Sequence, residues 1–115
     1  MLEQLTTETF HEFGHDQPVA VIDFWADWCG PCKMQTPVIE HLAANYGNRV
    51  AFAALDVDQH QDIAKEFGIM SIPALLILKN GHPVERVVGF HPEGALKKYL
   101  DKKLDEVDAS SEPED

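Results

Sequence analysis

Cys29 and Cys32 are the two cysteines of this chain, and only Gly30 and Pro31 lie between them. They sit where an apolar run from Val19 to Ala26, broken by Asp23, gives way to helical periodicity. Thiols at this spacing are about one helical turn apart, near enough to close as a small disulfide ring or to open as a dithiol. The first falls at a helix N-terminus, where unpaired backbone N–H groups and the positive end of the helix dipole favour thiolate over thiol. Cys29 is therefore expected to be an exposed nucleophile and Cys32, one turn inside the helix, a shielded resolving thiol. Exchange through a mixed disulfide needs such a pair. Two blander readings compete: half of a zinc site, or two inert core cysteines. A tetrahedral zinc site wants four ligands, there is no second cysteine pair, and His11, His15, His41, His60, His82 and His91 are scattered, so no metal is expected. Gly-Pro belongs to a turn and not to a core.

Asp23 is the second residue with chemical potential. A carboxylate inside an apolar strand is expensive to bury, and its pKa is expected to be raised. It is either a strand-edge aspartate that reaches water or a buried proton acceptor for the thiol chemistry.

The elements that must position these groups follow from periodicity. Val19 to Ala26 is apolar on both faces, as in a central strand covered by helices on each side. Pro31 to Tyr46 reads as a helix, with Ile39, Leu42, Ala43 and Tyr46 on one face, extended by Met34 and Val38, and with Pro37 inside it. Thr7 to Phe13 is a short first helix with Phe10 and Phe13 on one side, and Val50 to Leu55 is another buried strand. Asp62 to Phe67 is a short helix ended by Gly68. Ala74 to Lys79, Asn80-Gly81 and Val84 to Val88 form a hairpin, and Glu93 to Leu104 is a last helix. Strand, helix, strand implies a parallel pair, and the hairpin adds antiparallel edges, so the class is α/β with a mixed sheet. Cys29 then emerges at the C-terminal end of a central parallel strand, where sites of open α/β sheets lie.

The 115 residues, 44% hydrophobic, suit one domain with a core that needs no staples. Two neighbouring cysteines cannot build a framework of structural bridges, which leaves chemistry as their purpose. The N-terminus has no basic leader followed by an apolar segment, and no apolar run approaches the roughly 18 residues of a membrane helix. The expectation is a soluble, cytoplasmic protein in a reducing compartment. Of the net charge of −11, residues 105 to 115 contribute six acids and no base. Their composition buries too little apolar surface to offset ordering, so the reading is a domain over residues 1–104 and a disordered acidic tail over 105–115. The body has no basic face, which argues against nucleic acid, and nothing demands more than a monomer.

The run Val21-Ile22-Asp23-Phe24-Trp25-Ala26-Asp27-Trp28-Cys29-Gly30-Pro31-Cys32-Lys33-Met34 resembles the active-site segment of the thioredoxin family almost residue for residue. Pro37, Asp56-Val57-Asp58, Ile72-Pro73, Lys79-Asn80-Gly81 and Val88-Gly89 follow in the family's order. The resemblance implies the thioredoxin fold, a central mixed sheet of about five strands flanked by about four helices, and a protein-disulfide reductase. In it Cys29 attacks, Cys32 resolves, and Asp23 lies beneath Cys32 as its proton acceptor. An X–Pro bond is trans by default. The resemblance implies instead that Ile72–Pro73 is cis and faces the cysteines, with the Ile72 backbone pairing with an extended client. Trp28, Gly30, Pro31, Gly89 and Phe90 would make an apolar rim, with Trp25 packed below. Lys33 either favours the thiolate or is simply solvated. The resemblance further implies disulfide-containing client proteins, no bound cofactor, and electrons from NADPH through a thioredoxin reductase. This chain departs from the family at Ala74, where threonine often follows the proline, and at Ala54, where a lysine usually stands near the aspartate. Asp23 is therefore expected to be shifted by desolvation with no cation opposing. The alternatives are an oxidase or isomerase of the same fold, whose members tend to carry histidine between the cysteines, and a non-redox binding or holdase module.

Overall fold

The computed structural model describes residues 2–111, with side chains described through Val107. β1 (Glu3–Gln4) leads through α1 (Thr7–Phe10) into β2 (Val19–Trp25), and α2 (Gly30–Tyr46) crosses to β3 (Val50–Asp56). After α3 (Gln61–Glu66), β4 (Ala74–Lys79) and β5 (His82–Val88) form the hairpin, and α4 (Glu93–Ser111) closes the fold. The sheet order is β1-β3-β2-β4-β5. β3 is parallel to both β1 and β2, whereas β4 is antiparallel to β2 and β5 to β4. This is the expected α/β sheet of five strands with four helices.

Alternate residues of a strand point to opposite faces, and so the central strands feed two cores. On one face Val19, Val21, Leu75 and Ile77 meet Ile39, Leu42 and Tyr46 of α2 and Leu96, Leu100 and Val107 of α4. On the other, Ala20, Ile22, Phe24, Leu76 and Leu78 meet Phe10 of α1 and Ile63 and Ala64 of α3. Both faces of β2 are covered, which accounts for the apolar residues that run along it on either side of Asp23. Asn80 and Gly81 both take positive φ, +53° and +82°, as a two-residue hairpin turn with the twist of its strands requires.

Besides shifts of one or two residues at element ends, such as β5 beginning at His82 and not Val84, four details differ from the sequence reading. α1 ends at Phe10, not Phe13, and is set by a reciprocal cap in which the Thr6 and Thr9 hydroxyls accept each other's backbone N–H. β1 was not foreseen, because two exposed polar residues carry no period. On α2, Met34 is 61% exposed, and the inward stripe is Cys32, Gln35, Ile39, Leu42 and Tyr46, so a polar residue holds the position assigned to an apolar neighbour. Finally, α4 does not stop at Leu104 but runs to Ser111, into the stretch that composition assigned to an acidic tail. Val107 continues the stripe of Leu100 and is buried in the α2-side core, and Glu106 pairs with Lys79 of β4 at 3.3 Å and with Lys103 at 3.2 Å. Asp105 and Glu106 belong to a helix whose inner face is docked as far as Val107. Residues 112–115 of the expected tail lie outside the described residues.

Candidate active site

β2 ends at Trp25, and the next four residues carry the chain over the C-terminal edge of the sheet into α2. A turn closed by the Cys29 N–H on the Ala26 carbonyl, 3.2 Å, delivers Cys29 to the N-cap of the helix. Its Sγ accepts the N–H of Cys32 at 3.2 Å, the role an N-cap oxygen ordinarily plays. Pro31 sits in the first turn, where its missing donor costs nothing, and the first turn holds no acid to oppose negative charge on the sulfur. Cys29 and Cys32 are joined as a disulfide with their Cα atoms 5.3 Å apart.

The expected contrast in exposure is not found in this disulfide form. Cys29 is 3% and Cys32 2% exposed, both packed with Ala26 against Trp25, Val57 and Ile72. What distinguishes them is polarity: the Cys29 sulfur faces the donor end of the helix, and Cys32 lies inside it. The exposed parts are their neighbours, Gly30, Pro31 and Trp28, the last 69% exposed. Trp28 is nonetheless fixed, since its indole N–H donates to Asp58 Oδ2 at 2.9 Å. Trp25 is half-buried beneath, and its N–H donates to Gln4 Oε1 at 3.1 Å.

Ile72, Pro73 and Gly89 are brought to the same place. The Ile72–Pro73 bond is cis, Ile72 touches the cysteine cluster, and the Pro73 carbonyl accepts the Gly89 N–H at 2.8 Å. Gly89 takes φ +89°, a conformation that favours glycine, and Phe90 beyond it is 38% exposed.

Asp23 is fully buried, which excludes the strand-edge alternative. It lies in β2 opposite Ala54 of β3 and Leu75 of β4, so the residue standing where the family usually has lysine is its direct cross-strand neighbour and is apolar. Burial raises its pKa from 3.8 to about 6, the Thr36 hydrogen bond opposes this, and the charge of Glu40 adds to it. The Thr36 hydroxyl donates to Oδ2 at 2.8 Å, while Oδ1 is buried with no partner. Thr36 stands one turn beyond Cys32, and both line a cleft of about 360 Å³ with Lys33, Pro37 and Asp27. Neither the Thr36 bridge nor the Asp58 anchor was anticipated, and nothing in their local spacing signals them.

Among the described residues no group of three or more His, Cys, Asp and Glu could hold a metal ion. His11 faces Glu66 at 3.6 Å and His41 faces Glu93 at 2.6 Å. No described helix is long and apolar enough to cross a membrane.

The profile of the thioredoxin family matches residues 1–102. Thioredoxins of Staphylococcus aureus and Staphylococcus haemolyticus are 50% identical to the chain over 86 residues, spanning 75% of it and 83% of each relative. The family carries electrons on its cysteine pair without a bound cofactor and is re-reduced by thioredoxin reductase. With the matching profile, these relatives and a disulfide at the head of α2, the chain belongs to the thioredoxin family and is a protein-disulfide reductase whose redox-active pair is Cys29–Cys32.

Proposed function

We propose that Cys29 is the attacking thiol, Cys32 the resolving thiol and Asp23 the acceptor of the Cys32 proton, acting on disulfides of other proteins in the cytoplasm. The observation that carries the assignment is the Cys29 sulfur at the N-cap of α2, receiving the Cys32 N–H at 3.2 Å. In the reduced protein that donor and the helix dipole favour the Cys29 thiolate. The thiolate attacks one sulfur of the client disulfide and expels the other as a thiolate, forming a mixed disulfide. Cys32 then gives its proton to the Asp23 carboxylate and attacks the Cys29 sulfur. The second client thiolate leaves and the Cys29–Cys32 disulfide remains, so two electrons have passed to the client. A thioredoxin reductase drawing on NADPH restores the dithiol. The client backbone pairs with Ile72, held by cis-Pro73 and Gly89, and rests on the rim of Trp28, Gly30 and Pro31.

Two measurements test this. Cys32→Ser, mixed with a disulfide-containing protein such as insulin, should accumulate a mixed disulfide through Cys29, and Cys29→Ser should form none; trapping through Cys32 instead would reverse the roles. The equilibrium potential of the pair, followed by tryptophan fluorescence in glutathione or dithiothreitol buffers, should lie below that of the glutathione pool. A value at or above it would make the protein an oxidant or isomerase, and no reversible transition would leave a binding module.

A further inference from the structure

Gln35 and Asp23 are the two fully buried polar side chains in the described core, and the mechanism uses only Asp23. Gln35 lies on α2, three residues beyond Cys32, and its amide is spent on one residue of another segment. Its Oε1 accepts the His91 N–H at 2.8 Å and its Nε2 donates to the His91 carbonyl at 3.0 Å. The side chain thus pairs with the backbone of His91 as a neighbouring strand would, satisfying both main-chain groups of a residue in the β5–α4 connection. That connection carries Gly89 and Phe90. The segment is held at two further points: the Gly89 N–H on the Pro73 carbonyl, 2.8 Å, and the His91 ring Nδ1 against the Gly89 carbonyl, 3.0 Å. One end of the strip is therefore tied to the Ile72–Pro73 loop and the other to the helix that begins at the cysteines.

We propose that Gln35 is a positioning residue for client recognition: its amide clamp on His91 fixes the Gly89–Phe90 strip beside the Ile72–Pro73 loop, which touches the cysteines, so that an extended client reaches the sulfur already aligned. The inference rests on the proposal that clients pair with Ile72, held in place by Pro73 and Gly89. A bidentate clamp is stiff because both donor and acceptor of a buried amide must stay satisfied, and losing either leaves a desolvated polar group. A small disulfide compound needs no strip, and so the clamp matters for proteins and not for the sulfur chemistry itself.

The test uses the pre-reduced full chain in single turnover, read by tryptophan fluorescence, against insulin and against Ellman's reagent. Gln35→Met keeps the volume and removes both bonds. Its second-order rate constant with insulin should fall about five- to tenfold, while that with Ellman's reagent stays within about twofold and the Cys29–Cys32 potential is unchanged. Gln35→Leu likewise removes both bonds, with an apolar side chain suited to the buried position, and should show the same split between insulin and Ellman's reagent. It carries the test alone if the methionine variant does not fold. Equal loss with both substrates would place Gln35 in the cysteine chemistry, and no loss with insulin would make it a packing residue; either overturns the proposal. Phe90→Asp, on the exposed face of the strip, separates the two layers of argument. If it leaves the insulin rate untouched, clients do not use the strip and the pairing proposal falls with the clamp. If it slows insulin and Gln35→Met does not, the clamp alone is wrong.

Discussion

Asp23 is at ease when protonated and at odds with its surroundings when charged. Below its ordinary value of 3.8 it holds a proton whether the chain is folded or not, and it has no effect on stability. Between 3.8 and about 6 the folded protein keeps a proton that the unfolded chain releases, so stability falls as pH rises; above about 6 the full penalty applies. That penalty is on the order of 3 kcal/mol. Asp23→Asn should therefore raise the free energy of unfolding by roughly 2–3 kcal/mol at pH 8 and change it little at pH 3.5. Denaturant titrations at the two pH values check this, and an equal gain at both would mean that the carboxylate charge is not the cause. The same variant should slow resolution of the mixed disulfide. This residue was legible in advance because a lone carboxylate in an apolar strand has few explanations. Gln35 and Thr36 were not: a polar residue on a helix reads as solvent-facing until the segment opposite is known, and His91 and Asp23 are remote from them in sequence.

Among the elements, α4 departs most from expectation. Its inner stripe continues through Val107, seven residues past Leu100, and its outer acids meet lysines of β4 and of α4 itself. Val107→Ala removes about two methylene equivalents from a buried position and should cost about 1–2 kcal/mol. Thermal unfolding measures it, and an unchanged midpoint would show that the last turns of α4 add nothing to the core. The long elements could be read because their periods, 2 or 3.6, run over many residues. β1 could not, because its two residues are placed by pairing with Ala53 and Ala54 of β3 and not by their own character. The end of α4 was misplaced for another reason. Composition over residues 105 to 115 spoke for disorder, and it outweighed the one valine that continues the buried stripe.

At the scale of the whole molecule, the sheet has two edges and neither offers a long flat ladder. β1 is two residues long. β5 carries Pro83, which has no N–H to donate, the charges of Glu85 and Arg86, and a register shift opposite Ile77 and Leu78. Short strands, proline, charge and bulges are the devices that keep sheet edges from adding foreign strands. They matter here because Val84 and Val88 on β5 are about half exposed, 49% and 57%. Pro83→Val, which restores a donor beside them, should cause concentration-dependent association visible by sedimentation; unchanged sedimentation would mean that the proline is not what guards this edge. An electron carrier succeeds by brief encounters, and most collisions with a partner are unproductive. With both borders of the sheet closed to trespass, the berth proposed for a client main chain beside the sulfur has no rival along the described sheet edges, and selectivity would then come as much from refusal elsewhere as from attraction there.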